Sequence, residues 1–353
     1  MEKSKSEGDY TAYVLDVVFL IFGKKGQEDY ITQNILEGLA ENDKKFQVIY
    51  IASAPCVLDE NFLEIREKLI NCQWIFTVTY PSFFPATADS LADSPMIILD
   101  LLNSWDKCVY FDATEWRFDH KPCWGEGPRN EPFNFTYMKK KCKAYFKREC
   151  YPQDFKEGYW PFPYSFSAKT KELFTEVTSD FKKVHDVFCS FPQSYTGLRE
   201  RCIDFCRFLD KKDMFKIKIA TGLDRKKYVR TLAGSMITLD GMGAGHCNTR
   251  FFEATPNFTA VFRQKYEVVI PYEFDHSGER GKEMIVEYNS EHEMKNKILN
   301  HLLDPDNLIG MAYRSRAHAL KYHTCKARVG YIFDVIEGGD LCAAFAENPL
   351  LKN

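Results

Sequence analysis

The chain has 353 residues, of which 45% are hydrophobic and 27% charged, and its formal net charge is −3. The length fits about two domains on the usual prior of ~150 residues per domain. The apolar fraction is large enough for two buried cores. The absence of a global basic excess argues against nucleic acid as a main partner.

The beginning of the chain and its cysteines indicate the compartment. The polar segment 1–8 lacks a signal-peptide pattern, and the apolar run 13–22 is interrupted by Asp16 and too short to span a bilayer. The twelve cysteines include no C-x-x-C pair, and Cys202 and Cys206 are spaced to share one buried helix face. We therefore expect a cytosolic chain with reduced thiols and no bound metal.

The first half alternates strand and helix signals. Continuous apolar runs predict buried parallel strands, and apolar residues every three or four positions predict the helices between them. The predicted strands are 14–22, 46–52, 74–80, 96–101 and 108–111, and the predicted helices are 28–39 and 61–70. This alternation is typical of a parallel sheet with helices on both faces, whose ligands bind beyond the carboxyl ends of the strands.

Charged residues follow two of these predicted strands. Lys24 and Lys25 lie in the turn after the first strand, where they could contact a phosphate or an acceptor. Asp112 follows a later strand and is a candidate base for an acceptor hydroxyl, with Glu115 orienting it. The alternatives are solvated lysines, a helix N-cap role for Asp112 and no role for an exposed Glu115.

The middle of the chain interrupts this alternation. Residues 116–137 are rich in proline and glycine and predict a long loop. Residues 138–148 read as a helix with six basic residues, Lys139, Lys140, Lys141, Lys143, Lys147 and Arg148. They predict either a solvated face or a surface for an anionic acceptor or membrane headgroups, and so peripheral contact with the inner membrane face. The prolines at 161–163 indicate a linker, which places the domains at 1–165 and 166–353.

The second half repeats the alternation. The predicted strands are 186–191, 215–219, 235–239, 267–270 and 284–288, and the predicted helices are 197–209, 225–233, 291–303, 308–322 and 325–336. Both halves are therefore predicted to be α/β domains. His323 and Thr324 stand just before the last helix and predict a capping turn.

The most informative segment follows the strand at 235–239. Gly241, Gly243 and Gly245 form a glycine-rich turn that leads into a segment able to form a helix. Glycines let the backbone approach an anion, and N–H groups at a helix start point at a phosphate. The turn lacks the spacing of the dinucleotide fingerprint and the G-K-[ST] of a P-loop, so a plain structural turn is the alternative.

Polar side chains in the same segment favour a nucleotide-linked substrate. Arg250 is a candidate phosphate clamp, and Glu253 is a candidate acceptor for ribose hydroxyls. His246 is a candidate contact for a phosphate or an acceptor. The alternatives are a simple loop residue at His246 and a salt bridge of Arg250, for instance with Glu253.

Residues 184–336 resemble the second lobe of GT-B glycosyltransferases of the CgeB spore-protein type. The resemblance rests on an order of signals: Asp186-Val-Phe188, Arg199 at a helix start, Tyr228-x-x-x-Leu232, the glycine turn, Asn248-Thr-Arg-Phe-Phe-Glu-Ala254, Glu283 to Tyr288, and Tyr322-His-Thr324 before Arg328. The first-half segments 112–115, 145–149 and 161–165 are similar to the same enzymes. The resemblance implies two Rossmann-like α/β lobes, with parallel sheets and helices on both faces.

The resemblance also implies an activity and a donor site. The activity would be transfer of a sugar from a nucleotide-diphosphate sugar to a hydroxyl of a glycan, lipid-linked or protein acceptor, without a metal or another cofactor. Glu253 would bind the donor ribose, and Asn248, Arg250 and the glycine turn would belong to the donor site. Arg199 would lie near the diphosphate, where leaving-group charge develops.

The chain departs from related retaining enzymes at two positions. Gly245 stands where they carry a paired glutamate, and Phe258 where they often have glycine. Two alternatives therefore stay open. One is a nucleotide-sugar epimerase of the same fold, and the other is a degenerate GT-B pair of lobes that binds or scaffolds a partner.

Overall fold

The structure, a computed structural model, describes most of both halves of the chain. The described residues are 15–22, 25–26, 28–51, 61–79, 99, 102–113, 139–167, 182–191, 197–243, 245–246, 248–346 and 348–351. Lys24, Glu115 and the predicted loop at 116–137 lie outside them. Within the described residues the chain forms two parallel sheets, one in each half, as predicted. We call these halves the first and second lobes.

The first lobe contains a six-stranded sheet. Its strands are β1 Leu15–Phe22, β2 Phe46–Ile51, β3 Cys72–Thr79, β4 Cys108–Asp112, β5 Ala144–Lys147 and β6 Trp160–Pro161. Their order is β2-β1-β3-β4-β5-β6, so the sheet order reverses at β1. The described helices here are α1 Tyr30–Glu41, α2 Asn61–Asn71 and α3 Pro152–Lys156. Helix α1 begins at Asp29, whose carboxylate accepts a hydrogen bond from the Thr32 amide at 2.7 Å.

The second lobe contains a five-stranded sheet. Its strands are β7 His185–Cys189, β8 Ile217–Ile219, β9 Ser235–Asp240, β10 Ala260–Gln264 and β11 Ile285–Tyr288. Its helices are α4 Leu198–Lys211, α5 Arg225–Ala233, α6 Thr249–Ala254, α7 Glu291–Leu302, α8 Pro305–Tyr322, α9 Cys325–Glu337 and α10 Cys342–Phe345. The strand order is β11-β10-β9-β7-β8. The order reverses between β7 and β9, which is where open parallel sheets bind ligands.

The end of the chain returns to the first lobe. Helix α9 packs against α1, and a Cβ placed on Gly38 would overlap the Cys325 carbonyl and the Val329 side chain. The Phe333 ring of α9 lies 6.1 Å from the Phe76 ring of β3. The two lobes therefore share one buried apolar cluster. The predicted boundary at 165/166 stays a prediction.

The predicted basic helix at 138–148 is wrong. Among the described residues 139–148, 139–141 alone are helical, and Ala144–Lys147 is β5, paired in parallel with β4. Strand pairing and the burial of Tyr145 and Phe146 override the local helical propensity. Lys147 is fully buried, with its Nζ 2.8 Å from Asp154 Oδ2, and Arg148 is buried against the Tyr164 hydroxyl. The six basic residues therefore do not form one surface, and membrane contact there stays a prediction.

Two predicted strands also differ from the structure. Residues 267–270 are irregular, and the strand lies earlier, at β10. The Val269 amide instead donates to the Cys150 carbonyl of the first lobe at 2.7 Å. Leu99 is helical, and the rest of the predicted strand 96–101 lies outside the described residues. In the described part of the chain, no helix is long and apolar enough to cross a membrane.

Candidate functional site

The glycine turn follows β9 at the point where the second sheet reverses its order. The last residue of β9, Asp240, is fully buried under the turn. Its Oδ2 accepts hydrogen bonds from the Tyr266 hydroxyl at 2.6 Å and from the Asn248 amide at 3.4 Å. Burial raises the pKa of Asp240, and the positive charge of Arg250 opposes that rise. A carboxylate and an arginine are thus paired electrostatically at the base of the turn.

Arg199 forms hydrogen bonds with the first residue of the turn. It lies in the first turn of α4, is buried, and donates from Nε and Nη2 to the Gly241 carbonyl at 3.0 and 2.7 Å. A Cβ on Gly241 would lie 3.0 Å from Arg199 Cγ, and a Cβ on Gly243 would lie 2.9 Å from Nη2. A side chain at Gly241 would press on the Arg199 stem, and one at Gly243 would displace its guanidinium, so glycine at both positions lets Arg199 pack closely on the turn.

The backbone amides of the turn have protein acceptors. The Met242 amide donates to Gln264 Oε1 at 3.1 Å, and the Gly243 amide to the Gly245 carbonyl at 3.1 Å. The His246 amide donates to Glu149 Oε2 at 3.0 Å. The sequence predicted N–H groups that point at a phosphate, and these three point at protein oxygens instead. A ligand at this turn must therefore rely on side chains, or displace one of these acceptors.

Glu149 is a site residue that the sequence analysis missed. It follows β5 in the first lobe, is 0% exposed, and reaches the turn of the second lobe. A Cβ on Gly245 would lie 2.6 Å from Glu149 Oε1 and 2.9 Å from its Cδ. Glycine at 245 therefore makes room for a carboxylate from the other lobe. The signal was the position of Glu149 at the end of a strand, which the wrong helix assignment at 138–148 concealed.

His246 lies at the junction of the two lobes. Its Nδ1 accepts a hydrogen bond from the Glu267 amide at 3.3 Å, and its Nε2 lies 3.9 Å from Glu267 Oε2. The ring of Tyr151, from the first lobe, meets the imidazole edge to face at 5.7 Å. The side chain is 16% exposed. His246 is thus held by contacts from both lobes while part of its ring reaches solvent.

Arg250 and Glu253 both lie on the short helix α6. The guanidinium of Arg250 stacks 4.8 Å from the centre of the Phe191 ring, and that of Arg199 lies 5.4 Å from the same ring. Glu253 Oε1 pairs with Arg225 Nη1 at 2.5 Å, so the alternative ion pair between Glu253 and Arg250 is not the one formed. Asn248 precedes α6 without capping it and donates to the Gly241 carbonyl at 3.2 Å.

Two partly buried tyrosines, one of them in the first lobe, lie close enough to Glu253 to sense its charge. Burial raises the pKa of Tyr30, in α1, and of Tyr228, in α5. The negative charge of Glu253 raises both pKa values further, whereas Arg225 lowers them. The region from the glycine turn to Glu253 is therefore bordered by residues of both lobes.

Of the first-lobe candidates, Asp112 and Lys25 belong to the described residues. Asp112 is buried at the end of β4, and its Oδ2 accepts a bond from the Tyr145 hydroxyl at 3.3 Å. Its carbonyl accepts from the Arg148 amide at 3.0 Å. Lys25 is exposed in the turn after β1. Catalysis by Asp112 and a phosphate contact by Lys25 stay predictions.

His323 belongs to a buried cluster behind the site. Its Nε2 donates to the Tyr272 carbonyl at 3.0 Å, its Nδ1 accepts from Arg328 Nη2 at 2.9 Å, and its ring stacks on Phe274. Thr324 caps α9 as predicted, accepting from the Ala327 amide at 3.0 Å. Over the described residues, no group of three or more His, Cys, Asp or Glu is arranged to hold a metal ion.

Comparisons with known proteins agree with this arrangement. Residues 194–334 match a family model described as "Glycosyl transferase-like". The matched range contains Arg199, the glycine turn, Arg250, Glu253 and His323. No curated protein matches the chain.

Several solved structures share the fold of almost the whole chain. A glycosyltransferase from Rickettsia africae has a TM-score of 0.55 at 11% identity, covering 97% of this chain and 100% of its own. Sucrose-phosphate synthase from Thermosynechococcus elongatus has a TM-score of 0.52 at 9% identity, covering 92% and 98%. Anabaena HepE in complex with UDP has a TM-score of 0.51 at 10% identity, covering 92% and 100%. The chain therefore has the two-lobed Rossmann-like fold of these proteins, and its residues 194–334 are similar to the glycosyl transferase-like family.

Proposed function

We propose that the protein is a glycosyltransferase that uses a nucleotide-diphosphate sugar. The observation that carries the proposal is the match of residues 194–334 to a glycosyl transferase-like family, because that range holds the turn at the reversal point of the sheet. The acceptor in this proposal is a hydroxyl group of a glycan, a lipid-linked sugar or a protein.

Arg250 and Glu253 are the proposed donor contacts. Both stand on α6, three residues apart, so their side chains leave neighbouring positions of one helix. The Arg250 guanidinium, whose Cζ lies 4.8 Å from the centre of the Phe191 ring, suits bidentate binding of a diphosphate. The Glu253 carboxylate, held by Arg225, suits the two hydroxyls of a ribose.

The reaction exchanges one bond at the anomeric carbon. The bond from this carbon to the diphosphate oxygen breaks, the bond to the acceptor oxygen forms, and the acceptor hydroxyl gives up its proton. Negative charge grows on the departing diphosphate, and the cations Arg250 and Arg199 would stabilise it in place of a metal ion. Three structures of two proteins with this fold support a nucleotide donor: Anabaena HepE with UDP, the same protein with UDP and glucose, and an α-glucosyltransferase with UDP and DNA.

A thermal-shift screen against nucleoside diphosphates and nucleotide sugars tests the donor site. A ligand at 100 times its Kd adds about 2.7 kcal/mol to the free energy of unfolding, which raises the melting temperature visibly. We expect a rise with one nucleotide, reduced in Glu253→Gln and unchanged in Glu337→Gln, an exposed acid at the end of α9. A well-folded protein that responds to no nucleotide would overturn the proposal.

A second candidate function is a non-catalytic scaffold. The observation that favours it is the turn itself, since three of its amides are satisfied by the protein and position 245 carries no acid. The two functions differ in turnover. Release of the nucleoside diphosphate from a bound nucleotide sugar, measured with and without a mixture of hydroxyl acceptors, favours the enzyme. Tight nucleotide binding with no release favours the scaffold.

A further inference from the structure

Two free cysteines meet across neighbouring segments of the first lobe. Cys108 is the first residue of β4, and Cys142 lies two residues before β5. Their sulfur atoms are 3.8 Å apart. The amide of Lys143, the residue after Cys142, donates to the Cys108 carbonyl at 2.8 Å. This backbone bond holds the two segments side by side, so the thiols are in contact without any rearrangement of the sheet.

The backbone geometry suits a disulfide between them. Val109 is paired with Ala144 in parallel register. Cys108 is therefore level with Lys143, and Cys142 lies one position earlier. A strand spacing of ~4.8 Å and a rise of ~3.3 Å per residue place the two Cα atoms about 6 Å apart. Cα atoms in native disulfides are roughly 4.4–6.8 Å apart, so rotations of the side chains can close the remaining distance between the sulfur atoms.

The two thiols differ in burial. Cys108 is 0% exposed and belongs to a buried apolar cluster of the first lobe, whereas Cys142 is half-buried at the edge of that cluster. The hydrogen bond with Cys142, together with burial, raises the pKa of Cys108 well above its ordinary value. An oxidant in solution therefore reaches Cys142 first. Cys108 can react only with a sulfur that has already been oxidised at Cys142.

Cationic side chains surround the half-buried thiol. Lys140, Lys141 and Lys143 lie within two residues of Cys142 in the sequence, and all three are exposed. Glutathione disulfide, a disulfide of low molecular weight, carries an excess of carboxylates over amines. Positive charge beside the thiol raises the local concentration of such an anion. The surroundings of Cys142 therefore favour an anionic disulfide as the oxidant.

We infer that Cys108 and Cys142 form a reversible disulfide when the protein meets an anionic disulfide of low molecular weight. The Cys142 thiolate attacks one sulfur of this oxidant, breaks its S–S bond, releases one half as a thiol and keeps the other half as a mixed disulfide. The Cys108 sulfur then attacks the Cys142 sulfur, and the second half leaves as a thiol. Each cysteine gives up one proton to a released thiol, so two protein thiols are oxidised and one oxidant disulfide is reduced.

The disulfide joins the strands at the edge of the sheet away from the candidate site. β4 and β5 both begin at this edge, whereas Asp112 and Glu149 lie at the other end of these strands. The new bond closes the loop 108–142 in the unfolded chain, which lowers the entropy of the unfolded state and so stabilises the fold. We therefore expect oxidation to raise the melting temperature by several degrees. Bound nucleotide is not needed for this effect, so the inference does not depend on the proposed function.

Mass spectrometry after treatment with glutathione disulfide tests the bond. The full chain is oxidised with a metal chelator present, its remaining thiols are alkylated, and it is digested without reductant. We expect one cross-linked peptide pair that contains Cys108 and Cys142, lighter than the two free peptides by two hydrogen atoms and separated by a dithiol reductant. Glutathione that stays on Cys142 without a cross-link would overturn the inference, as would alkylation of both thiols after oxidation.

Serine variants separate the two steps. Cys142→Ser should lose the cross-link and leave Cys108 unmodified, because the buried thiol does not meet the oxidant. Cys108→Ser should keep glutathione on Cys142, since no second thiol displaces it. Cys108→Ala replaces this variant if a buried hydroxyl prevents folding. Cys342→Ser removes an exposed cysteine of α10 and serves as the control that behaves like the wild type. An equal rise in melting temperature on oxidation of Cys142→Ser and wild type would assign the stabilisation to another bond and overturn the inference.

Discussion

His246 and His323 have the same hydrogen-bonding pattern in two different regions of the second lobe. Each accepts a bond at Nδ1, from the Glu267 amide in one case and from Arg328 in the other. Each therefore carries its neutral proton on Nε2. The difference lies in what Nε2 faces. His323 donates to the Tyr272 carbonyl inside the core, whereas Nε2 of His246 lies at a lobe junction.

Their surroundings extend this contrast. His323 is 0% exposed and stacks on Phe274, next to the buried pair Arg263 and Glu273. His246 is partly exposed, and Arg250, four residues later in the sequence, is half-buried. We conclude that the residue types alone do not mark the functional region. The two regions differ in burial, and we predict that the buried region governs stability and the partly exposed region governs ligand binding.

The largest expected effect is on stability, from Arg263→Met in the buried region. Arg263 Nη2 lies 3.1 Å from Glu273 Oε1 and 2.8 Å from Glu287 Oε1. Burial raises the pKa of Glu273, and Arg263 opposes that rise. Without the arginine, a carboxyl group stays buried and unpaired, so we expect the free energy of unfolding to fall by about 3–5 kcal/mol. Urea unfolding measures it.

A double variant is the control for this loss. Arg263→Met with Glu273→Gln removes the charges of Arg263 and Glu273 and should recover part of the stability, since the fully buried carboxylate no longer lacks its cation. Glu287 also loses Arg263, but its Oε2 lies 3.5 Å from His276 Nε2. At a temperature where the single variant is folded, its Kd for the nucleotide should match that of the wild type. A loss below 1 kcal/mol, or a large change in Kd, would erase the contrast between the two regions.

Unlike Arg263→Met, Arg250→Met should weaken nucleotide binding and leave stability nearly unchanged. Removing the guanidinium from beside the glycine turn should weaken nucleotide binding by about 10-fold or more, because a charge-assisted bidentate contact is lost. Stability should change by less than about 1 kcal/mol, since Arg250 is only half-buried. Arg250→Lys keeps the charge but loses the two parallel N–H donors of the guanidinium, so its Kd should lie between those of wild type and Arg250→Met. Calorimetric titration of all three proteins measures this order. Equal affinity of wild type and Arg250→Met would remove Arg250 from the site.

The pH dependence of stability tests the buried histidine. Burial, with the charges of Arg328 and His318, lowers the pKa of His323 well below 6.5. The unfolded chain therefore binds a proton near pH 6.5 that the folded protein refuses, so stability is full above that pH and falls as the pH drops below it. The slope contributed by one histidine is at most about 1.4 kcal/mol per pH unit.

His323→Gln isolates this contribution. The variant loses its ring stack and is less stable at pH 8, but its free energy of unfolding should fall less steeply between pH 6.5 and 5. His301 opposes the trend in both proteins: although burial lowers its pKa, the bond to Glu283 and the Lys297 carbonyl raise it above 6.5. Urea titrations at four pH values compare the slopes. If the free energy of unfolding falls with pH equally steeply in variant and wild type, the lowered pKa of His323 does not contribute to the pH dependence.

The sequence predicted the scaffold of both regions better than their contacts. The bounds of β1, α5, β9 and α9 agree with the structure to within a residue or two, because their apolar periodicity reflects burial. The prediction from the sequence failed at β5, where pairing with β4 overrides a lysine-rich helical pattern. It also missed β10, where the buried Arg263 interrupts the apolar run.

In the candidate site, too, the sequence predicted local features but not the contacts between distant segments. Spacing alone singled out the glycine turn, Arg250 and Glu253. It could not show that Glu149, almost a hundred residues earlier, fills the space at Gly245, since contacts between distant segments leave no local pattern. Nor could it show that Arg225, rather than Arg250, pairs with Glu253. At position 258 the sequence has phenylalanine where the related enzymes often have glycine, and the structure shows a left-handed backbone conformation there.

The smallest expected effect is at Phe258, which stands between the glycine-turn helix α6 and the strand of Arg263. Its φ is +53°, in the left-handed region that favours glycine or asparagine, and glycine is the residue often found there in related enzymes. The ring compensates by packing 4.9 Å from the Tyr313 ring and 4.1 Å from the Arg316 guanidinium.

Phe258→Asn removes both the strain and the contacts, so its free energy of unfolding should lie within about 1 kcal/mol of wild type. Phe258→Ala loses the same contacts and keeps the strain, and should be less stable than Phe258→Asn by about 0.5–1 kcal/mol. Equal stability of the two variants, or the reverse order, in urea unfolding would show that backbone strain does not decide stability at this turn. A loss well above 1 kcal/mol in both variants would show that ring packing dominates.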